Sequence, residues 1–483
     1  MSVKKNFIYN IIYQILIMIL PLITAPYITR TLGDESLGMF SYTYSVASYF
    51  ALFAVLGLNN YGSRKIAQIR EDNDNLSKCF WEIFSMQFSL GVLVCFVYVV
   101  YILNSNSDNR LIALLQLGYV VAGAFDINWL FFGLEKFKVT VTRNIIIKLC
   151  SVILIFLLVK NEQDIYIYTI IMMGASLLSQ IVLWPFVRKE VFWRKPKISE
   201  VIKHIKPNLI LFIPVIAVSI YKVMDKIMLG SMSTMKEVAY YEYGEKIIVI
   251  SVSLITALGT VMLPQITNLI SKGDLQKSLE YIKKSMTFSI MSSSAIAFGI
   301  MSIADDFAKW FYGREFAASG EVMKYLAVTV IFISCANVIR TQFLIPSGKD
   351  KTYIISVILG ALCNVGVNYI LIPDFGAMGA VVGTILAEFI VMVYQFLLTN
   401  KEIGKVIDWR EAVFFILLGI CMYACVSWID TVLITTNTFY KLLCEIMFGV
   451  FVYVGGAWWY LKKFNVSVYK SIVSVIPLKR TRR

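Results

Sequence analysis

The chain has 483 residues, is 58% hydrophobic and only 16% charged, and has a mean hydropathy of +0.72. A soluble domain of this size could not bury so much apolar surface, so the composition excludes a soluble globular enzyme and places the chain in a membrane. The net charge of +14 invites a nucleic-acid partner, but its distribution from loop to loop is that of a membrane protein, and no nucleic acid is expected.

Runs of about 20 apolar residues, each able to cross a hydrocarbon core of about 30 Å as a helix, recur along the chain. Fourteen are predicted, near residues 7–29, 38–58, 80–103, 111–132, 144–159, 166–187, 208–230, 246–268, 285–304, 322–345, 353–372, 376–398, 412–430 and 437–460. The fold class expected is therefore an all-α integral membrane protein with little left for a soluble domain. The first run follows Lys4 and Lys5 as a signal peptide would. It is long, holds Pro21 and Pro26 and lacks a small-x-small site before Arg30, so it is read as a retained first helix.

Helical spacing predicts polar stripes in several spans. Asn10, Gln14, Pro21 and Thr24 follow one side of the first, Ser41, Ser45 and Ser48 one side of the second, and Asn364 and Asn368 lie four apart in the eleventh. Such stripes serve either as glue between helices or as ligands. His204, the single histidine, sits in a basic loop and is expected at the surface rather than on a metal or a proton path. The eight cysteines form no CxxC pair and read as small core hydrophobes. No metal site, phosphate-binding glycine loop or nucleophile triad is apparent, so neither a cofactor nor an enzyme is expected.

Lys and Arg outside the spans alternate by loop. The termini and even-numbered loops hold 32, and the odd-numbered loops hold 6. The positive-inside rule then places both termini in the cytoplasm of a multi-pass protein, with the terminal KRTRR against membrane lipids.

The chain also resembles itself at offsets of roughly 200 residues. Pro21 precedes Leu32-Gly33 as Pro214 precedes Leu229-Gly230, and Leu56-Gly57 precedes Leu76-Ser77-Lys78 as Leu258-Gly259 precedes Leu275-Gln276-Lys277. This predicts two six-helix lobes, residues 1–206 and 207–400, inserted the same way up around a central cavity, with two further spans and a basic tail in 401–483. Alternating access by rocking is the expected mechanism, with Pro21 and Pro214 as candidate hinges or tolerated kinks.

Charges inside apolar runs each cost about 2.5–3.5 kcal/mol on insertion scales and call for a partner, water or a cargo. Lys222, Asp225 and Lys226 interrupt the seventh span, Arg340 the tenth and Glu388 the middle of the twelfth, while Lys148 lies near the inner end of the fifth. Lys148 and Lys226 can equally be read as snorkelling to the head groups, and Lys441 with Glu445 as a local pair in the fourteenth span. A surplus of fixed cations suits an anionic cargo, and a Lys point charge with an Arg fork suits phosphate. Glu388 is a candidate for coupling to proton or sodium entry, with a structural ion pair as the alternative.

Four strings carry a family resemblance: TRTLGDESLGMFSYTYS (29–45), GLNNYGSRKIAQ (57–68), FDINWLFFGLEKFKVTVTRNIIIKL (125–149) and YKVMDKIMLG (221–230). The chain resembles the Wzx-type oligosaccharide-lipid flippases of the multidrug/oligosaccharidyl-lipid/polysaccharide exporter superfamily. The resemblance implies an oligosaccharide repeat unit on undecaprenyl diphosphate as cargo, moved from the cytoplasmic to the outer leaflet of a bacterial plasma membrane for capsule or O-antigen assembly. It implies a polymerase and glycosyltransferases as pathway partners. Matching residues are Arg64, Asp126, Trp129, Glu135, Arg143, Lys148, Asp225 and Lys226. Arg64, Arg143 and Lys148 are placed to receive the diphosphate, and Trp129 either to stack on sugar or to anchor at the interface. Lys222, Arg340 and Glu388 come from the cost of burial and not from a motif. A peptidoglycan-precursor flippase and a multidrug or cation antiporter of the same superfamily remain as alternatives, the latter disfavoured by the basic surplus.

Overall fold

The computed structural model describes residues 3–105, 109–404, 408–433 and 437–465, with side chains from Met18 onward except at 214, 221, 258, 260 and 261. The side chains of Asn10, Gln14 and Pro214 and the KRTRR tail lie outside the described residues. Described secondary structure is entirely helical. Among the described residues ten helices are long and apolar enough to cross a membrane, or up to twelve if the bent pairs Met235–Ala257 with Met262–Ser271 and Arg314–Leu326 with Thr329–Leu344 each count as one. All fourteen apolar runs lie on helix. One long element carries the first two, the bent pairs carry the eighth and tenth, and Ile205–Met232 carries the seventh.

The chain forms two compact units, Met1–Ala239 and Tyr240–Arg483. The first holds α1 (Val3–Val55), α2 (Leu58–Ile69), α3 (Asn73–Asn104), α4 (Arg110–Leu115), α5 (Leu117–Ala124), α6 (Asn128–Gly133), α7 (Phe137–Leu158), α8 (Ile165–Ile181), α9 (Trp184–Val187), α10 (Ile198–Lys203), α11 (Ile205–Met232) and the start of α12 (Met235–Ser271). The second holds the rest of α12, then α13 (Leu275–Phe311), α14 (Ala317–Leu326), α15 (Thr329–Ile339), a π-helical turn (Arg340–Leu344), α16 (Asp350–Phe375), α17 (Ala377–Ile403), α18 (Trp409–Val432) and α19 (Thr438–Phe464).

The bend in α1 falls at Gly33, whose φ of 73° only glycine adopts readily. Helix continues through Pro21 and Pro26, and Thr24 Oγ1 donates to the carbonyls of Leu20 and Pro21. Gly230, the sequence echo of Gly33, lies inside α11 with the Tyr42 ring 2.1 Å from where its Cβ would be. The repeated strings therefore do not share a backbone conformation. The same close approach explains why the first unit runs to Ala239 and not to 206: α11 packs on α1, and Lys236 at the head of α12 pairs with Asp34 at 3.2 Å. In the second unit α18 and α19 pack on α13, where Tyr453 donates to the carbonyl of Met291 at 2.8 Å. They are part of that unit.

Apolar side chains face outward as well as into the core, because lipid solvates them as well as a core does. Phe96, Leu157, Ile370 and Phe451 are exposed, while Gln87, Ser293, Gln342 and Asn368 are fully buried. Within the first unit Leu58, Ile66, Phe80, Ile127, Trp129 and Leu183 form a core joining α2, α3, α6 and α9. The Trp129 indole lies flat over Gly62, 2.8 Å from the position a Cβ would take. Gly62→Val is expected to lower stability by about 1–3 kcal/mol through overpacking, seen as a drop in the melting temperature of the purified protein; an unchanged melt would show spare room under Trp129.

Candidate functional site

At the α5–α6 junction the helix is broken within the candidate span Arg110–Gly133, and a polar network surrounds the break. Asp126 Oδ1 accepts from the Asn128 amide at 2.9 Å and from its Nδ2 at 2.6 Å. Gln87 Nε2 donates to the carbonyls of Gly123 and Asp126, both at 2.8 Å, and Gln87 Oε1 accepts from Trp129 Nε1 at 3.1 Å. Asn128 Oδ1 accepts from Arg143 Nη2 at 3.2 Å, and Asn128 Nδ2 donates to Gln180. Arg143, 6% exposed, also donates to Asn144 Oδ1. Structure thus brings Asp126, Trp129 and Arg143 into one network. Gln87 and Gln180 were missed, and no signal in the sequence distinguishes them from other polar residues of a span.

Trp129 corrects an expectation. It is 0% exposed, sandwiched by Gly62 and Phe80, so it offers no face to a sugar and does not reach an interface. Its role is to hold α6 on α2 and α3. Asp126 likewise caps the start of α6. Arg64 is exposed on α2, and Lys148 is half-buried on α7.

On α11 the three charges part company. Asp225 is 2% exposed, Lys226 is half-buried and Lys222 is exposed. Among the described residues no carboxylate lies within 4.0 Å of the charged nitrogens of Lys222, Arg64 or Arg340. Lys222 thus presents an uncompensated ammonium on a largely apolar helix.

In the second unit Arg340 opens the π-helical turn, half-buried, with its guanidinium 5.4 Å from the centroid of the Tyr353 ring. Such turns widen a helix locally and recur at functional positions. Glu388, 7% exposed, lies one turn after Thr384 on the same face of α17. Thr384 Oγ1 is 2.8 Å from Tyr241 OH and accepts from Asn364 Nδ2, and Asn364 Oδ1 accepts from Asn368 Nδ2 at 3.2 Å. Further along, Gln395 Nε2 donates to Ser356 Oγ. Asn364 and Asn368 therefore act as glue between α16 and α17. Ser45 and Ser48 donate to carbonyls of their own helix.

The "Polysaccharide biosynthesis protein" family matches residues 3–270, more than half of the chain. The chain belongs to this family. An overlapping match to the MatE family spans residues 211–370, and membership of the wider superfamily, in its Wzx-type branch, stands. This polysaccharide biosynthesis protein is 23% identical over 398 residues to the "Putative O-antigen transporter" of Shigella dysenteriae, covering 81% of this chain and 98% of that one. It is 24% identical over 408 residues to the protein of the same name in Escherichia coli strain K12, covering 83% and 98%. Among solved structures, Lipid II flippase MurJ in an inward closed conformation superposes with a TM-score of 0.77 at 16% identity, over 94% of this chain and 99% of that one. At that identity the likeness is one of fold.

Two further features of this family member correct the sequence reading. Lys441 and Glu445 stand 4.0 Å apart, but Asp306 of α13 at 2.7 Å and Asp430 of α18 lie nearer the ammonium, so the local pair is one edge of a cluster tying three helices. His204 is not a surface group. It is 7% exposed, with Nδ1 2.6 Å from Tyr61 OH and Nε2 3.5 Å from Glu82, because the α10–α11 junction folds back onto α2 and α3. Burial pushes its pKa below the ordinary 6.5, outweighing the upward pull of Glu82; Lys65 also lowers it and Glu200 raises it. A depressed histidine binds its proton more weakly folded than unfolded, so stability falls as pH drops from 6.5 through the depressed value and is level above 6.5. His204→Gln is expected to shrink the loss of melting temperature between pH 7.5 and 5.5; an equal loss in both proteins would locate the acid sensitivity elsewhere.

Proposed function

We propose that this protein moves oligosaccharide repeat units carried on undecaprenyl diphosphate from the cytoplasmic to the outer leaflet of a bacterial plasma membrane, by alternating access, for capsule or O-antigen assembly. The observation that carries the reading is the uncompensated cation: Lys222 exposed on α11 and Arg340 at a π-helical turn, neither with a carboxylate within 4.0 Å among the described residues. A diphosphate loses hydration on entering a low-dielectric passage, and fixed ammonium and guanidinium groups replace it. The match over 98% of the length of proteins named "Putative O-antigen transporter" supports this cargo over a small drug cation, which the same charges would repel. Export also follows the membrane field, since outward movement of a negative charge gains about 2.3 kcal/mol per 100 mV. Polymerase and glycosyltransferases of the same pathway are the expected partners, and both termini are cytoplasmic in this reading.

Glu388 is the proposed coupling group for proton or sodium, a carboxylate held inside the second unit beside the Tyr241–Thr384 pair.

Lys222→Ala and Arg340→Ala are each expected to lower surface polysaccharide at least tenfold, as loss of a charge-assisted phosphate contact would, with membrane levels unchanged on immunoblots. Normal export in both variants overturns the reading. Glu388→Gln is expected to abolish the dependence of transport on a proton or sodium gradient in proteoliposomes; an unaltered dependence returns Glu388 to packing.

A further inference from the structure

At the end of the first unit that carries the basic loops, three chain segments border an open cavity of about 520 Å³, within the range of about 300–1,000 Å³ typical of small-ligand sites. It is lined by Arg70 and Asn73 from the α2–α3 junction, Glu135 and Lys136 from the α6–α7 junction, and Arg188 to Phe192 after α9. Two ion pairs stitch the rim together: Arg70 with Glu135 at 2.7 Å and Lys136 with Glu190 at 2.5 Å. Its walls are fixed to α3, since the Phe192 amide donates to Ser77 Oγ at 3.1 Å and the Phe192 carbonyl accepts from Trp81 Nε1 at 3.0 Å. Glu135 turns the chain there at a φ of 58°, outside the region a glutamate favours.

The charge of this cavity is unbalanced. Four cations face two carboxylates, and both carboxylates are engaged in the rim pairs. Among the described residues Arg188 and Lys189 have no carboxylate within 4.0 Å. All the lining segments lie at helix ends, the depth at which lipid phosphates sit beside a spanning protein.

We propose that this cavity binds a phosphate-bearing head group at the membrane surface, with Arg188 and Lys189 supplying the charge and the Arg70–Glu135 and Lys136–Glu190 pairs tying the walls to one another. An Arg fork and a Lys ammonium each suit phosphate oxygens, and basic recesses at the ends of spanning helices bind anionic lipid heads. Two sources share this chemistry, an anionic phospholipid of the bilayer and a prenyl diphosphate. The phospholipid arm of the inference stands independently of the cargo proposed above, and the prenyl-diphosphate arm rests on it.

The test uses the purified full chain, delipidated in neutral detergent, with native mass spectrometry and thermal shift as readouts. Ligands are cardiolipin, phosphatidylcholine, a short-chain prenyl diphosphate and inorganic phosphate. Cardiolipin or the prenyl diphosphate is expected to bind and raise the melting temperature, with phosphatidylcholine inert. The double variant Arg188→Glu with Lys189→Glu is expected to weaken that binding about tenfold or more, while Lys462→Glu with Lys463→Glu, an equal charge change on α19, leaves it intact. Preference for cardiolipin identifies a bilayer lipid, and preference for the diphosphate identifies the head of a carrier lipid. The milder Arg188→Ala guards against misfolding of the double variant and is expected to weaken binding severalfold. Equal weakening by the α19 variant, saturation by inorganic phosphate alone, or no binding in the unaltered protein overturns the proposal.

Discussion

A hydrocarbon interior supplies no water to a broken helix, so every backbone group released inside it must find a partner in the protein. The α5–α6 junction shows the constraint at work. The carbonyls of Gly123 and Asp126 beside the break both receive the Gln87 amide, and the first amide of the next helix is capped by Asp126. Once Gln87 is committed to those carbonyls, its remaining oxygen fixes Trp129, which closes over Gly62 and ties α2 to α3 and α6. Asn128 then holds Arg143 at the head of α7. One buried amide therefore sets the positions of four helices and of a cation that was expected to meet cargo.

The same economy governs the second unit. The α16–α17 seam is built from amides and hydroxyls, with Asn368 and Asn364 linked along one helix and Thr384 received from α17. A seam of neutral polar groups binds helices in lipid without the desolvation cost of ions. Glu388 lies on the same face and is the exception. A carboxylate is a costly way to make a contact an amide would make, which is why it carries a transport hypothesis while Asn364 and Asn368 carry none.

The helices were legible from the sequence, and the faces of those helices were not. Apolar runs located the helices because the length of a hydrocarbon core is a strong constraint, and ten to twelve helices, against fourteen expected spans, meet that length and composition among the described residues. Periodicity then failed for a physical reason. In lipid both the outer face and the core are apolar, so no amphipathic stripe says which side of α11 is buried, and Lys222, Asp225 and Lys226 read as one cluster until burial separated them. Trp129 was misjudged because tryptophans near span ends usually anchor at interfaces, whereas here glycine at residue 62 leaves room for the indole inside. His204 was misjudged because the basic residues around it are solvated while the histidine itself is turned inward to Tyr61 and Glu82. The family strings identified Asp126 and Arg143 as belonging together, but not Gln87, which joins them from another span.

What distinguishes cations that build this protein from cations free to handle an anion is the presence of an acid within reach. Lys136, Lys236 and Lys441 each meet a carboxylate and fasten one segment to another. Arg64, Lys222, Arg340, Arg188 and Lys189 meet none among the described residues. A carrier of a diphosphate needs the second kind, and needs them moderate in strength. Several separate, partly solvated cations attract the charge without trapping it, since water competes at each one, whereas a single buried cluster would hold the phosphate too tightly to release it. The exposure of Lys222 and the half-burial of Arg340 against an aromatic ring meet that requirement better than full burial would, and the buried, hydrogen-bonded Arg143 is better suited to architecture.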